Sequence, residues 1–266
     1  MRQTTMSTVW KRLRDVSDTV TRIWNGSTFT IADGPGEGLR MDSSRSRVYQ
    51  DGTAEMPVQR ALMDVLRPGA VAYDIGANVG FFSLIAARAV GSSGRVYSFE
   101  PVPENARLIR RNASLNTFDH IQVVEGAVAE ESGTITLTLA EHPGGATLAR
   151  EELQPPPDAK GEITVRAVCL DEEVEAGRLP APDVIKIDVE GAELVVLDSM
   201  SSILRTRRPI LICEVDAAEE DTLRARQQAI QDRLVAAEYR VELLPQSYRN
   251  NAWCVEHLLA HPAGRS

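Results

Sequence analysis

A regular alternation of short apolar runs with helical patterns, beginning after Pro68-Gly69, constrains the fold of this 266-residue chain more than any other feature. The first strand-like runs are AVAYDIG, RVYSFE and IQVVEG, and the helical patterns between them are FFSLIAARAV and ENARLIRRNASL. The alternation resumes with the strand-like runs DVIKID and PILICEV, the helical patterns GAELVVLDSM and TLRARQQAIQDRLVAAE, and the final strand-like runs YRVELL and WCVEHLL. Such alternation is typical of βαβ units, in which helices join parallel strands and cover the sheet. The sequence therefore predicts an α/β fold with a doubly wound, Rossmann-like sheet.

Two segments depart from the alternation. Residues 1–55 are predicted to be a short N-terminal extension, with an amphipathic helix at 9–23 and a turn-rich stretch, ADGPGEGLR. Farther on, GTITLTLA and EITVRAV have the period of half-buried strands and flank a loop with paired glycines and three consecutive prolines. We interpret this region as a hairpin-like insertion, and residues 56–266 as one domain.

The charge of the chain disfavours some partners. With 29 Lys and Arg residues against 38 Asp and Glu residues, the formal net charge is −9. Most of such a surface would repel a phosphate backbone or an anionic bilayer, so we expect neither nucleic acid nor a membrane as partner. The first two dozen residues contain no continuous apolar stretch, which predicts a cytoplasmic protein.

The segment DIGANVG lies where the first strand of the predicted sheet turns into its first helix. In an open parallel sheet this strand end borders the crevice in which ligands bind. Gly76 and Gly80 allow a tight turn and a close approach of the backbone to a ligand. Together with Asp74, Ala77 and Asn78, they form the first part of a predicted cofactor site.

The charge of this turn separates two cofactor classes. A dinucleotide site keeps side chains away from the pyrophosphate, which sits against backbone N–H groups. Here Asp74 would repel a pyrophosphate and Asn78 would crowd it, whereas S-adenosylmethionine has no phosphate and carries an ammonium and a sulfonium. The residues therefore favour S-adenosylmethionine, and a nicotinamide-dependent reductase is the disfavoured alternative.

The ends of the next two strands complete the predicted cofactor site. Glu100, which ends RVYSFE, is placed to accept hydrogen bonds from both ribose hydroxyls. Pro101 follows it, and Glu125 and Ala127 lie near the expected position of the adenine ring. A solvent-exposed role is the alternative for Glu125.

The chain from about Pro68 to Val215 resembles the FkbM family of methyltransferases. The resemblance rests on the ordered segments PGAVAYDIGANVGFFS, FEPVPENARLIRRNASLN, VEGAVAEESG, VCLDEEV, PDVIKIDVEGAEL and RPILICEV. It implies a class I methyltransferase sheet and transfer of a methyl group from S-adenosylmethionine to a hydroxyl. It also implies a small-molecule or glycan acceptor, typically a sugar, a glycan or a natural-product scaffold.

Such a reaction requires a group that removes the hydroxyl proton, or a metal ion that lowers the hydroxyl pKa. Asp188 and Glu190 follow the strand DVIKID, and Glu214 ends ILICEV, so three carboxylates are expected at adjacent strand ends. They are the predicted catalytic residues, and they could also hold a divalent metal such as Mg²⁺. Lys186 lies two residues before Asp188 and should share its face of the sheet.

Several alternatives stay open. Glu190 could instead cap the following helix, and His142 and His257 are isolated histidines that could act as a base but more often serve packing. An N-methyltransferase acting on a small-molecule amine is the nearest rival, and a non-catalytic scaffold that binds S-adenosylmethionine is another. The Gly- and Pro-rich residues 141–161 are expected to cover the acceptor pocket.

Overall fold

The computed structural model describes residues 27–140, 146–148, 159–248 and 254–264. The predicted helix at 9–23, His142 and most of the predicted cover at 141–161 lie outside the described residues. Within the described ranges, no helix combines the length and the apolar character needed to cross a membrane.

The segments of the predicted alternation form strands and helices in the predicted order, and further short elements that were not predicted lie before and between them. The strands are β1 (Thr28–Thr30), β2 (Arg40–Asp42), β3 (Val71–Ile75), β4 (Arg95–Glu100), β5 (Ile121–Glu125), β6 (Ala127–Val128), β7 (Gly133–Ala140), β8 (Ala146–Leu148), β9 (Ala159–Val168), β10 (Val184–Ile187), β11 (Ile210–Ala217), β12 (Tyr239–Leu243) and β13 (Cys254–Pro262). The helices are α1 (Met56–Val65), α2 (Phe81–Val90), α3 (Pro103–Leu115), α4 (Leu170–Glu175), α5 (Glu193–Asp198), α6 (Ser201–Thr206) and α7 (Glu220–Ala236).

Seven strands form the main sheet, in the order β12, β13, β11, β10, β3, β4, β5. The five strands from β11 to β5 in this order are parallel, whereas β13 runs antiparallel to both β11 and β12. The chain order reverses at β3, which pairs with β4 on one side and with β10 on the other. At such a switch point the connections diverge and leave a crevice at the carboxyl edge of the sheet. The predicted doubly wound sheet is confirmed, and its crevice lies beside DIGANVG.

Each face of the main sheet has its own apolar core, because side chains alternate between the faces along every strand. One core includes residues of α1, α2 and α3, and the other includes residues of α4 to α7. The location of a polar side chain near the site therefore depends on its distance from the strand end and on the face of the sheet on which it lies.

The hairpin-like insertion is confirmed as a second sheet with the order β6, β9, β7, β8. Strands β7 and β9 pair antiparallel, from Gly133 opposite Ala167 to Ala140 opposite Ala159. Because β6 begins two residues after β5 ends, this sheet departs from the carboxyl edge of the main sheet. It therefore lies on the ligand side of the domain.

Residues 27–55 pack against the main domain. Ile31, Leu39 and Met41 are buried in the core that α1 and α2 share. The backbone N–H of Asp42 donates a hydrogen bond to Asn112 Oδ1 of α3 at 2.7 Å. The described part of the predicted extension thus shares a core with the domain, and the boundary after residue 55 stays a prediction.

The helix predicted over GAELVVLDSM is confirmed as α5, and a further short helix that was not predicted, α6, begins directly after this segment. The carboxylate of Asp171 accepts hydrogen bonds from the backbone N–H groups of Ser202 and Ile203. These bonds satisfy amides at the start of α6 that have no partner within the helix, so a new helix begins there.

Gly76 is required by the close packing of two strand ends. Its φ is +81°, and a Cβ built there would lie 1.7 Å from the carbonyl oxygen of Asp188. Gly38 has the same φ of +81°, but no atom lies within 4 Å of its Cβ position.

Gly76→Ala should lower the free energy of unfolding by more than about 3 kcal/mol. Gly38→Ala should lower it only by the ~1 to 3 kcal/mol that an alanine costs in the left-handed region. Urea denaturation measures both, and equal losses would contradict the close-approach explanation.

Candidate active site

A cleft of about 680 Å³, including space open to solvent, lies at the carboxyl edge of the main sheet beside β3. Members of both predicted site groups line it, namely Gly76, Asn78, Glu100, Pro101 and Ala127 of the cofactor group and Asp188 and Glu190 of the catalytic group. Much of the remaining wall is apolar, with Ile75, Phe99, Val128, Leu137, Val189 and Ala192.

Glu100, at the end of β4, is held by three donors. Its Oε1 accepts hydrogen bonds from the N–H of Val102 at 2.9 Å and from the amide of Asn105 at 3.4 Å. Its Oε2 accepts from the N–H of Asn78 at 2.8 Å. Burial raises the pKa of this carboxyl to about 7, against the opposing effect of these hydrogen bonds. Two carboxylate oxygens offer about four acceptor sites, so Glu100 retains acceptor capacity towards the cleft.

Asn78 brings a polar atom without a protein partner to the cleft. Its backbone lies in the left-handed region at φ +50°, and its side-chain Oδ1 is buried with no hydrogen-bond partner among the described residues. Leaving such an atom unsatisfied costs about 1 to 3 kcal/mol. A bound ligand with a donor group would remove this cost. S-adenosylmethionine carries an ammonium and two ribose hydroxyls, so the residues present fit this cofactor.

Asp74 does not line the cleft, which corrects the expectation from the sequence. It lies inside β3, and its side chain, 3% exposed, accepts a hydrogen bond at Oδ2 from Ser83 of α2 at 2.5 Å. Lys186 is its register neighbour on β10. Burial raises the pKa of Asp74, and the Lys186 charge and the Ser83 hydrogen bond oppose the rise. The alternation of β3 directs this carboxylate towards α2, and its Oδ1 is buried with no hydrogen-bond partner among the described residues.

Three more predicted cofactor residues lie away from the cleft wall. Ala77 is buried, and its N–H donates to a carbonyl of β4. Gly80 precedes α2 with φ +86°, and a Cβ there would meet Ile109 at 3.2 Å, so this glycine serves helix packing. Glu125 forms a half-exposed ion pair with Arg110 at 2.6 Å. The structure therefore places Glu125 in the solvent-exposed role that the sequence left open.

Asp188 follows β10, where its carboxylate both lines the cleft and holds Lys186. Lys186 Nζ lies 2.9 Å from Asp188 Oδ2 and 4.5 Å from the ring centroid of Phe82. Burial alone would lower the pKa of Lys186, but nearby carboxylates, Asp188 foremost, raise it. The expectation that Lys186 shares a face with Asp188 is confirmed, and the two side chains form an ion pair. With 24% of its side chain exposed, Asp188 faces the buried ammonium on one side and the cleft on the other.

Glu190 lines the cleft with its backbone in the left-handed region, at φ +52°. Burial raises its pKa to about 9, and neighbouring negative charges, Asp188 the largest, act in the same direction. It does not cap the following helix, because α5 begins at Glu193 with Ala192 as its cap residue. Glu190 is therefore a protonated carboxyl at neutral pH that can donate a hydrogen bond into the cleft.

Glu214 is not at a strand end and does not line the cleft, so the expected convergence of three strand-end carboxylates is wrong for this residue. Strand β11 continues to Ala217, which leaves Glu214 inside the sheet opposite His257 of β13. His257 Nε2 lies 2.8 Å from Glu214 Oε2 and 3.3 Å from Glu55 Oε2. His257 Nδ1 lies 3.3 Å from the hydroxyl of Ser247. His257 is therefore not the isolated histidine that the sequence suggested.

Glu55, Glu214 and His257, here named the Glu55 cluster, contain a residue that sequence reasoning missed. Glu55 is buried immediately before α1, and its Oε1 accepts a hydrogen bond at 2.9 Å from the hydroxyl of Tyr248, 193 residues away. Burial would lower the pKa of His257, but the two carboxylates raise it to about 9. No local pattern marks Glu55, since its partners come from distant parts of the chain.

The pH dependence of stability follows from three buried carboxyls outside the Glu55 cluster. Burial raises the pKa of Glu100 and Glu193 to about 7 and that of Glu190 to about 9. In the unfolded chain they ionise near their ordinary value of about 4.3, so above that pH the folded protein holds more protons than the unfolded chain. Their contribution to stability is therefore full at acidic pH and is lost as pH rises towards about 9.

We expect the free energy of unfolding of the ligand-free protein to fall by about 2 kcal/mol or more between about pH 5.5 and about pH 9. Urea denaturation across this range measures the change. Glu190→Gln should flatten the alkaline part of the fall, because the amide does not ionise. Stability that rises with pH would show that these carboxyls are not buried as described.

Comparison with known proteins adds the family. The Methyltransferase FkbM domain matches residues 74–241, which include every residue that lines the cleft. This chain belongs to the FkbM methyltransferase family. The predicted resemblance to the FkbM family is therefore confirmed over more than half of the chain.

Two relatives of this chain are named for different substrates. The chain is 27% identical over 163 residues to the hexuronic acid methyltransferase AglP of Haloferax volcanii, covering 61% of this chain and 63% of that protein. It is 29% identical over 213 residues to the 31-O-demethyl-FK506 methyltransferase FkbM of Streptomyces tacrolimicus, covering 70% of this chain and 76% of that protein. In the first three curated relatives, the match spans 55 to 63% of their length. Trm5b from Pyrococcus abyssi has the same fold, with a TM-score of 0.50 at 14% identity over 89% of this chain and 56% of that one.

Proposed function

We propose that this protein is an S-adenosylmethionine-dependent O-methyltransferase that methylates a hydroxyl of a sugar, glycan or natural product. The observation that carries the proposal is the position of Asp188, a partly exposed carboxylate on the wall of a cleft whose other residues fit the methyl donor. Membership of the FkbM methyltransferase family supports the reaction type.

The cofactor side of the cleft lies at the ends of β3 and β4. Glu100 would accept hydrogen bonds from the ribose hydroxyls, and Asn78 Oδ1 would gain the donor that it lacks. Pro101 and Ala127 belong to the same wall and would contact the nucleoside. When bound, S-adenosylmethionine supplies an electrophilic methyl group on a positively charged sulfur.

Asp188 would serve the acceptor. Its carboxylate would take the proton of the acceptor hydroxyl, whose oxygen would be the nucleophile for the methyl group that the bound cofactor supplies. Lys186 fixes the orientation of this carboxylate from beneath. Glu190, protonated at neutral pH, can donate a hydrogen bond to an acceptor oxygen. The apolar remainder of the cleft would offer water few hydrogen-bonding partners beside the reacting groups.

Two relatives support an oxygen acceptor. One is named for a hexuronic acid and the other for an oxygen position of a natural product. Both classes of molecule carry aliphatic hydroxyls, whose high pKa makes a positioned proton acceptor such as Asp188 necessary. The same hydroxyl chemistry would serve either class.

A methyl-transfer assay tests the proposal. The purified protein is incubated with S-adenosylmethionine labelled in its methyl group and with hydroxylated acceptors, uronic acids and complex alcohols, each beside an analogue that carries an amine at the same position. We expect methylation of at least one hydroxyl compound and not of its amine analogue. Methylation of amines alone would identify an N-methyltransferase, and cofactor binding without any transfer would indicate a non-catalytic scaffold.

A further inference from the structure

We propose that the Glu55 cluster binds one divalent cation through a carboxylate oxygen of Glu55, a carboxylate oxygen of Glu214 and Nε2 of His257. The inference deepens the proposed function and rests on it only for the role of the cation. Cation binding itself can be measured without any acceptor.

Three distant parts of the chain bring the ligand atoms together. Glu55 lies just before α1, Glu214 lies in β11, and His257 lies opposite it in β13. The three ligand atoms lie within 4.8 Å of one another. His257 Nε2 is 2.8 Å from Glu214 Oε2 and 3.3 Å from Glu55 Oε2. Metal–ligand bonds of about 2.1 Å separate neighbouring ligands by about 3 Å, so these spacings suit one shared ion.

An unsatisfied oxygen points to a missing ligand. Glu55 is 9% exposed, and its buried Oε2 has no hydrogen bond among the described residues; its contact is the ion pair with His257 Nε2 at 3.3 Å. The other oxygen of this carboxylate is satisfied by Tyr248. His257 Nε2 carries at most one proton, and that proton serves Glu214 at 2.8 Å. Two carboxylate oxygens thus face a single nitrogen, and a cation between the three atoms would satisfy all of them.

The charge balance of the Glu55 cluster suits a divalent cation. Among the described residues, the groups that face the cluster include Lys186, Asp188, Ser247 and the hydroxyls of Tyr49 and Tyr248. Lys186 and Asp188 neutralise each other at 2.9 Å. A cation would displace the proton that the carboxylates favour on His257, and with the imidazole then neutral, Glu55 and Glu214 contribute two negative charges, which a divalent cation balances.

The ligand set favours some cations over others. Two carboxylates and one imidazole suit Mn²⁺ and Zn²⁺, whereas Mg²⁺ prefers an all-oxygen set. Three protein ligands leave coordination positions free, as in metal sites that act on a substrate. Asp188 raises the pKa of Glu214 by its charge and also lines the cleft, so the cluster adjoins the acceptor side. Under the proposed function, the cation would hold β11, β13 and the start of α1 together beside the acceptor side of the cleft.

Calorimetry on the metal-free full chain, without cofactor or acceptor, tests the inference. We expect one equivalent of Mn²⁺ or Zn²⁺ to bind with a Kd of about 10 µM or tighter, and Mg²⁺ to bind more weakly. Electron spin-echo spectroscopy of bound Mn²⁺ should show coupling to one imidazole nitrogen. Absence of saturable binding by both cations, or bound Mn²⁺ without a nitrogen ligand, would overturn the inference whatever the variants do.

Three variants and a control locate the site. Glu55→Gln, Glu214→Gln and His257→Gln should each weaken Mn²⁺ binding at least about 10-fold. Asp119→Asn is the matched control, because Asp119 also lies beside a histidine, 3.6 Å from His120, but is 96% exposed. It should bind Mn²⁺ as the wild type does. Equal affinities in all four variants would place the cation elsewhere and refute the inference.

The outcomes separate this inference from the proposed function. Methyl transfer that persists in excess chelator, with no cation bound by the wild type, would leave the O-methyltransferase proposal intact and remove the metal site. Cation binding without methyl transfer would support the metal site and contradict the O-methyltransferase proposal. Circular dichroism and S-adenosylmethionine binding check the fold of each variant, and the wild-type measurements decide the question if a variant does not fold.

Discussion

Replacing Asp188 by asparagine should lower the turnover number about 10²-fold to 10⁴-fold and leave the affinity for S-adenosylmethionine nearly unchanged. The amide has almost the same size as the carboxylate and still accepts a hydrogen bond from Lys186, which lies 2.9 Å from Asp188 Oδ2. The amide cannot take up a proton at neutral pH. The loss should therefore fall on the step that removes the hydroxyl proton.

Asp183→Asn is the matched control for this prediction. Asp183 lies at the opposite end of the same strand, where its Oδ2 accepts a hydrogen bond from the N–H of Val71 at 2.8 Å. Asparagine keeps that acceptor, so wild-type turnover is expected. Initial rates at saturating cofactor, together with calorimetric cofactor binding, separate the two variants. Full turnover of Asp188→Asn on a verified acceptor would remove Asp188 from the chemical step.

Replacing Glu100 by glutamine should weaken S-adenosylmethionine binding about 10-fold to 100-fold. Hydrogen bonds to an ionised carboxylate contribute ~1.5 to 3 kcal/mol, and the amide group of glutamine faces the donors of Asn78 and the ribose with only one acceptor oxygen. Burial also raises the pKa of Glu100 to about 7 in the free protein. Because the ionised form accepts hydrogen bonds from the ribose hydroxyls, the affinity of the wild type for S-adenosylmethionine should rise as pH increases through about 7.

Glu125→Gln is the control for the Glu100 experiment. Glu125 is the register partner of Glu100 on the neighbouring strand, but its side chain pairs with Arg110 at the surface. It should bind the cofactor with wild-type affinity and keep the wild-type pH dependence. Calorimetry at several pH values measures all three proteins. An unchanged affinity and pH profile in Glu100→Gln would show that Glu100 does not hold the cofactor.

The order of the elements could be predicted from sequence because the periods of apolar residues report local structure. FFSLIAARAV coincides with α2 over its full length, and RVYSFE coincides with β4. The start of a further helix, α6, directly after GAELVVLDSM could not be predicted. It depends on hydrogen bonds from Ser202 and Ile203 to Asp171, about thirty residues earlier in the chain.

The cofactor side of the site was only partly predictable. The strand-end position of Glu100 brought it to the cleft, as the pattern of the parallel sheet indicated. Asp74 is in the same motif as Asn78, yet it lies within β3 and accepts a hydrogen bond from Ser83. A motif records which residues lie near a turn, but the alternation of the strand decides which of them face the ligand.

From sequence alone, the doubly wound sheet, the switch point and the shared face of Lys186 and Asp188 could be predicted, because each depends on spacing along one or two neighbouring strands. The family was predicted from the resemblance of ordered segments. Only the tertiary structure placed Glu55 beside Glu214 and His257. Those contacts require the pairing of β11 with β13 and the docking of α1 on the same face of the sheet. Long-range packing of this kind leaves no periodic signal in the sequence, so the Glu55 cluster becomes visible only when the chain is folded.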